Sequence, residues 1–221
     1  MKFFLPLFLA FAASAESLHY SINYPSGLSL GEATLDSSRA PNEKGGGNWS
    51  FTLDIDASIP GFVVRDQYHS TADSGLCSIA LDKKFVHGSH KTEEHIAFDQ
   101  GNHTVTRETK NGGKSDVSVP GCARDALVYI QFVRNELAQG RLVPQQPVVF
   151  GAPYDVRLEF TGTQTIRVGD QKVDADRIVA TIKGPLTSIT VDLFFSRDNA
   201  RIPLLAKLPL SLGMFSVELV R

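Results

Sequence analysis

The chain has 221 residues, of which 42% are hydrophobic, and it carries 22 lysines and arginines against 24 aspartates and glutamates. This near balance of charge argues against a nucleic-acid partner, because nucleic-acid-binding domains carry a strongly basic surface. The apolar content is enough for one sizeable core, so we expect one domain rather than two.

The first residues have the layout of a secretory signal peptide. One lysine precedes an apolar run from Phe3 to Ala13, and small residues stand at Ala13 and Ala15. The run is too short to span a bilayer, and the small residues are typical of a cleavage site. We therefore expect residues 1–15 to be a signal peptide and residues 16–221 to form one exported domain. No later apolar run is long enough for a membrane segment.

Alternation of apolar and polar residues dominates the rest of the chain. The segment 48–56 places Trp49, Phe51, Leu53 and Ile55 on one face and polar residues on the other, which predicts a half-buried antiparallel strand. Turn sequences separate such runs, among them 100–103, 110–114 and 168–172. The pattern predicts a mainly β protein of about a dozen strands.

One segment has helical periodicity. We expect a helix from Asp125, as N-cap, to about Gln139, followed by Gly140 as C-cap. A core-facing stripe and a second apolar face are both predicted, so either the sheet curls around the helix or the second face contacts a ligand. The stripe comprises Ala126, Ile130, Val133 and Leu137, and the second face comprises Val128 and Phe132.

The sequence contains two cysteines, Cys77 and Cys122, and three interpretations of them are possible. In an oxidising compartment an isolated pair favours one disulfide, which would close a loop of about 45 residues and contribute about 4 kcal/mol on the chain-entropy model. A helix start can also activate a thiol, so a nucleophilic Cys122 and two free thiols remain as alternatives. No base near a cleft is evident for the nucleophile.

No pattern in the chain predicts a catalytic, cofactor or metal site. Strand alternation places His95 opposite Ile96, and it places His87 and His90 on opposite faces, whereas metal ligands must converge. The sequence also lacks the hydrolase, zinc and phosphate-binding motifs. A minor alternative is a hydrolase that uses histidines or carboxylates such as His87, Glu94 and His95, or the acid pair Asp54 and Asp56.

The segments "YSINYPSGLSLGEATL", "RDALVYIQFVR" and "LFFSRDNARIPLLAKLPLSLGMFSVEL" resemble the bacterial exported family known as domain of unknown function 3108. The resemblance covers nearly all of the chain after residue 15. It implies a location in the bacterial envelope, periplasmic or secreted, and a fold related to the open half-barrels of periplasmic lipoprotein carriers. The family offers no catalytic residues to transfer. The matched positions are Asp125, Leu127, Arg134, Ser196, Asp198, Arg201 and Pro203.

Together these features predict a curled antiparallel sheet, an open half-barrel or β-roll, with one helix in its concavity. The favoured function is non-catalytic binding of an acyl chain, lipid or hydrophobic peptide in a groove between sheet and helix. Val128 and Phe132 would contact the apolar part, and Arg134, Arg65 or Arg197 would meet a head group. The alternative is an envelope-glycan binding module that uses Trp49 or Tyr68.

Overall fold

A computed structural model describes residues 14–40, 47–59, 62–210 and 213–220. The predicted signal peptide lies almost entirely outside these residues. The first strand begins at Ser14, and Ala15 pairs with Ser38, so cleavage before Glu16 would remove the first two residues of this strand.

The described residues form fifteen strands and one α-helix, more strands than the dozen that alternation predicts. The strands are β1 (Ser14–Asn23), β2 (Ser29–Ala40), β3 (Asn48–Ile59), β4 (Phe62–Ala72), β5 (Ser78–His87), β6 (His90–Asp99), β7 (Thr104–Thr109), β8 (Lys114–Ser118), β9 (Arg124–Asp125), β10 (Gln146–Val149), β11 (Pro153–Val168), β12 (Gln171–Lys183), β13 (Ser188–Ser196), β14 (Pro203–Leu210) and β15 (Gly213–Leu219), and the helix is α1 (Ala126–Ala138).

All strands belong to one sheet in the order β8-β7-β6-β5-β4-β3-β2-β1-β15-β14-β13-β12-β11-β10-β9. Neighbours are antiparallel throughout, except that β9 runs parallel to β10. Apart from the β1–β15 pair and the parallel β9–β10 pair, whose connection contains α1, the order consists of sequential neighbours, which short hairpins can connect. The predicted turns at 100–103, 110–114 and 168–172 all connect such hairpins.

The sheet curls so that edge strand β9 returns to the start of β5. The Ser78 amide donates a 3.0 Å hydrogen bond to the carbonyl of Ala123, and the Gln100 side-chain amide both donates to and accepts from the Ala123 backbone. A disulfide between Cys77 and Cys122 joins the same two places. The sheet is therefore an open curl in which edge strand β9 is joined to β5, a strand inside the same sheet. This agrees with the predicted half-barrel.

The helix begins at a buried carboxylate. Asp125 Oδ1 accepts hydrogen bonds from the Leu127 and Val128 amides, and Oδ2 accepts from the hydroxyls of Ser70 and Ser78, each at 2.6 Å. Burial raises the pKa of the Asp125 carboxyl, whereas these four hydrogen bonds lower it. The predicted N-cap is confirmed, and its hydroxyl donors also tie the helix start to β4 and β5.

The helix separates two core clusters, which explains why it is apolar on two sides. Leu127 and Val128 pack into the cluster formed mainly by β3–β7, which we call the β3–β7 core. Tyr129, Val133 and Leu137 pack into the cluster formed mainly by β10–β13, which we call the β10–β13 core. Of the two explanations for the second apolar face, the curl of the sheet around the helix is the correct one.

Candidate functional site

An apolar groove lies between the helix and strands β10–β14. It has a volume of about 460 Å³, within the range of small-molecule sites. Ile130 and Ala126 are only half-buried on the helix side, because the curled sheet leaves space in front of them. The groove is lined by Ala126, Tyr129, Ile130 and Val133 from the helix, and by Val148, Phe150, Tyr154, Val156, Leu158, Ala180, Ile182, Val191, Leu193, Phe195, Ala206 and Leu208 from the sheet side.

The sheet wall of the groove follows from strand register. Leu158 pairs with Ala180, and Leu193 pairs with Ala206, so these side chains project to the same face of the sheet. The alanines in these rows leave room where larger residues would fill the concavity. The wall is therefore apolar, with Ala180 and Ala206 as its small residues.

Tyr129 lines the groove, and its hydroxyl is enclosed by the surrounding protein. The residue is 6% exposed, and its hydroxyl is buried with no hydrogen-bond partner among the described residues. Burial raises the pKa of the phenol, opposed by the positive charge of Arg124, so the group is neutral and able to donate. A buried hydroxyl without a partner is uncommon, since losing its hydrogen bonds to water costs about 1–3 kcal/mol.

Arg124 lies close to the same helix. Its guanidinium carbon is 3.8 Å from the centre of the Phe132 ring, and Nη1 donates to Gln146 Oε1 at 3.1 Å. Its Nε is buried without a partner among the described residues, and burial lowers the pKa of the group. Arg124 thus covers Phe132 and brings a buried positive charge near Tyr129.

An ionic cluster adjoins Phe150 on the helix-covered face of the sheet. Glu94 forms salt bridges with Lys83 at 3.2 Å and with Arg107, and the Lys83 ammonium lies 4.3 Å from the centre of the Phe150 ring. Gly151 has positive φ, and a Cβ there would lie 3.2 Å from Lys83 Nζ, so the backbone closes over the cluster. Glu94 pairs with both cations, and Lys83 also donates to the Phe150 carbonyl at 3.4 Å, which indicates a structural role.

The structure corrects the predicted ligand-contacting helix face. Val128 is fully buried in the β3–β7 core, and Phe132 is covered by Arg124. The groove lies instead along the stripe that was predicted to face only the core, where Ala126, Ile130 and Val133 line it. Periodicity identifies two apolar faces, but it does not indicate which face the tertiary packing leaves open.

None of the three predicted head-group arginines lines the groove. Arg134 is buried, holds Glu16 with hydrogen bonds of 2.6 and 2.9 Å, and donates to the Ala200 carbonyl, so it anchors the helix. Arg65 is 65% exposed and lies 3.4 Å from Asp56. Arg197 is 57% exposed and lies 3.5 Å from Asp176.

The aromatic residues behind the glycan alternative are engaged within the protein. Trp49 is half-buried, stacks on Phe51 with 5.6 Å between ring centres, and carries the Arg39 guanidinium at 5.5 Å. Tyr68 is buried and donates a 3.0 Å hydrogen bond to Asp66. Neither ring offers an open face of the kind that stacks on a sugar.

His87 and His90 differ from their predicted placement, whereas His95 lies on the face opposite Ile96, as predicted. His87 and His90 are cross-strand partners in the β5–β6 hairpin, hence on one face, because the turn falls between them. His87 lies 2.8 Å from Asp66 and His95 lies 2.7 Å from Asp82 on the opposite face of the sheet. The hydrolase candidates His87, Glu94 and His95 therefore do not converge. Within the described ranges, no group of three His, Cys, Asp or Glu residues is arranged to hold a metal ion.

A sequence profile for the family described as "Protein of unknown function (DUF3108)" matches residues 19–220. The chain belongs to the DUF3108 family. The resemblance predicted from the strand, helix and Ser-Arg-Asp segments is thereby confirmed. No curated protein matches the sequence.

The fold of this DUF3108 protein is similar to a crystal structure described as a beta-barrel-like protein of domain of unknown function DUF1849 from Brucella abortus. The TM-score is 0.64 at 9% sequence identity, and the match covers 93% of this chain and 95% of the other. At this identity the likeness concerns the fold alone. In the described part of the chain, the helix is too short and polar to cross a membrane.

Sequence reasoning missed Tyr129 and the sheet wall of the groove. The wall residues belong to strands whose alternation was visible, for example Val156 and Leu158 in β11. They line a groove because the helix packs closely against the β3–β7 half of the concavity and leaves space in front of β10–β14. The distance between the helix and these strands shows this, and sequence periodicity does not indicate that distance.

Proposed function

We propose that this DUF3108 protein is a non-catalytic exported protein that binds the apolar chain of a lipid or acylated molecule in the groove between α1 and β10–β14. The main support for this proposal is the lining of the groove, a cleft of about 460 Å³ whose walls are almost entirely hydrocarbon. Burying an acyl chain there contributes about 0.8 kcal/mol for each methylene removed from water. The signal-peptide layout and the disulfide support export, since disulfides persist in oxidising compartments.

The Tyr129 hydroxyl supports a ligand with one polar atom beside its chain. The hydroxyl is enclosed, and a small shift of the ring would bring it to the groove, where a carbonyl or ester oxygen would accept the hydrogen bond that it lacks among the described residues. Arg124, close to Tyr129 and carrying a buried positive charge, favours an electron-rich ligand atom at the same place. Head-group selection is thus assigned to Tyr129 and Arg124 rather than to Arg134, Arg65 or Arg197.

The groove is tested by filling it. Ala206 lies in the sheet wall and is half-buried, so Ala206→Trp places a ring in the space that a ligand would occupy. We expect binding of the uncharged probe N-phenyl-1-naphthylamine, followed by fluorescence, to weaken by about tenfold or more. Ala206→Leu gives a smaller obstruction that the fold accommodates more readily, and a melting curve identifies any variant that fails to fold.

The matched control is Val220→Trp, which adds the same ring at a side chain that is 56% exposed, outside the groove lining and away from the groove mouth. Its probe affinity should equal that of the wild type. Equal binding by the wild type and folded Ala206→Trp would contradict the proposal, as would an equal loss in Val220→Trp.

The Tyr129 assignment has its own test. Tyr129→Phe removes the hydroxyl and keeps the ring, so binding of N-phenyl-1-naphthylamine should be unchanged, whereas binding of a fatty-acid methyl ester should weaken by about fivefold to tenfold. Equal effects on the two ligands would refute a hydrogen bond from Tyr129. Mass spectrometry of organic extracts of the purified protein identifies the natural ligand.

A further inference from the structure

The two rims of the sheet differ in composition. Because the strands run antiparallel in sequence order, alternate hairpin connections meet on one side, which we call the apolar rim. The described connections of the apolar rim are 24–28, 88–89, 110–113, 150–152 and 184–187, and the facing strand ends of β3 and β4 and of β14 and β15 lie at the same rim. These five connections contain no aspartate or glutamate, whereas the described connections of the opposite rim contain Asp73, Asp170 and Asp198.

Exposed apolar side chains are concentrated at the same rim. Among the described residues, eleven large hydrophobic side chains are exposed, and seven of them lie in the connections of the apolar rim or within the first or last two residues of strands at that rim. Leu186 is 96% exposed and Leu28 is 61% exposed, although nothing in the local conformation requires leucine there. The seven are Tyr24, Leu28, Phe62, Val63, Leu186, Leu210 and Met214.

Positive charge accompanies these side chains. Lys91 and Lys183 are exposed within two residues of the rim connections, and neither forms an ion pair with any described residue. Lys110 and Lys114 lie at the same rim and pair with Glu93 and Glu108. Apolar side chains surrounded by lysines, with few carboxylates, match the chemistry of a lipid surface with anionic head groups.

The apolar groove reaches this rim. Phe150 belongs to the rim connection 150–152 and lines the groove. Tyr154, also in the lining, packs beneath Gly184 of the connection 184–187, where a Cβ would lie 2.5 Å from the tyrosine ring. The helix is fastened toward the opposite rim, through Asp125 at the β4–β5 end and through Arg134 beside Ala200. The path into the groove therefore leads from the apolar rim.

We infer that the apolar rim docks on an anionic lipid bilayer, with Leu28, Leu186 and their neighbours inserted among the lipids and Lys91 and Lys183 at the head groups. Each inserted leucine gains free energy by leaving water, and each lysine near an anionic surface strengthens binding by about fivefold. Docking in this orientation places the groove mouth at the bilayer. The inference adds a membrane surface to the proposed function and does not require the groove to be occupied.

The test is co-sedimentation of the purified protein with vesicles of phosphatidylcholine alone and with vesicles containing equal parts of phosphatidylcholine and phosphatidylglycerol. We expect binding to the anionic vesicles that weakens with added salt. The double variant Leu28→Ser/Leu186→Ser should reduce the partition coefficient by about tenfold or more. The double variant Lys91→Gln/Lys183→Gln should remove most of the preference for phosphatidylglycerol.

Two matched variants act as controls. Phe160→Ser/Val220→Ser removes two exposed apolar side chains, 53% and 56% exposed, away from the apolar rim, and Arg167→Gln/Lys172→Gln removes two exposed charges near the opposite rim. Both should bind vesicles like the wild type. Absence of wild-type binding, or equal losses in rim and control variants, would overturn the inference, and so would a rim-dependent dimer without vesicle binding.

The vesicle-binding test and the groove-binding test give results that can be distinguished. Ala206→Trp should lose the fluorescent probe and keep vesicle binding, whereas Leu28→Ser/Leu186→Ser should keep probe binding in the absence of vesicles. Failure of the first pattern concerns the groove alone, and failure of the second concerns the apolar rim alone.

Discussion

At the scale of single residues, Asp125 connects the helix to the sheet. Its carboxylate accepts two helix amides and two serine hydroxyls in a site that is fully buried. The sequence predicts the cap, since an acidic residue stands directly before the helical pattern. It does not predict Ser70 and Ser78 as partners, because they lie 55 and 47 residues away along the chain.

Asp125→Ala should therefore destabilise the protein by more than a simple loss of a cap. The cap contributes about 1 kcal/mol, and two buried hydroxyls are left without their acceptor, so we expect a loss of about 3–5 kcal/mol in the free energy of unfolding. Urea unfolding followed by circular dichroism measures this change. The control Asp170→Ala, in an exposed turn, should change the value by less than about 0.5 kcal/mol. Similar small effects in both variants would contradict this account.

Glu94 is a buried carboxyl through which pH acts on the β3–β7 half of the sheet. Burial raises its pKa, but hydrogen bonds and charges from Arg107 and Lys83 outweigh burial and hold the pKa below its usual 4.5. A carboxyl with a lowered folded-state pKa stabilises the fold above its unfolded pKa, and the contribution is lost as the pH falls through the folded value. The window of lost stability therefore begins near pH 4.5 and extends below it.

We expect the free energy of unfolding to fall as the pH is lowered from about 5 toward 3. Glu94→Gln should lower stability at neutral pH and flatten this dependence, because the titrating group is gone while Lys83 and Arg107 lose their partner. Urea titrations across this pH range provide the measurement. Glu159→Gln, at an exposed position of β11, should leave the pH profile unchanged, and an unchanged profile in Glu94→Gln would contradict the assignment.

At the scale of elements, the disulfide fastens a sheet edge rather than a local loop. It joins the β4–β5 connection to the residues before β9, across a separation of 45 residues. The sequence favours this pairing over a nucleophilic Cys122, and the structure confirms it. The bond also holds the helix start in place, since β9 leads directly into α1.

Cys77→Ser/Cys122→Ser should lower the free energy of unfolding by about 4 kcal/mol, the entropy of closing a loop of this length. Because Gln100 and Ser78 still hold Ala123, we expect the variant to fold at low temperature. Thermal unfolding with and without reductant measures the effect. Reductant should destabilise only the wild type, and a reductant-sensitive double variant would show that another group is responsible.

At the scale of the whole molecule, the curl of the sheet makes the groove open toward the apolar rim. The helix closes the concavity toward one rim through Asp125 and Arg134, and this leaves the groove continuous with the apolar rim through Phe150. A flat sheet of the same strands would have neither a concavity nor a mouth. The proposed ligand site and the proposed bilayer contact thus depend on one geometric property.

The sequence by itself determined most of the strands, the single helix with its Asp125 cap and the family, and it favoured the cysteine pairing, because each depends on local spacing or on residue type. Only the tertiary structure decided which helix face borders the groove, since Val128 and Ile130 are equally apolar in sequence and differ in what packs against them. It also decided that Leu28 and Leu186 share one rim. In an antiparallel sheet every second connection lies at the same rim. Connections that are far apart in the sequence therefore become neighbours only through the order of the strands in the sheet.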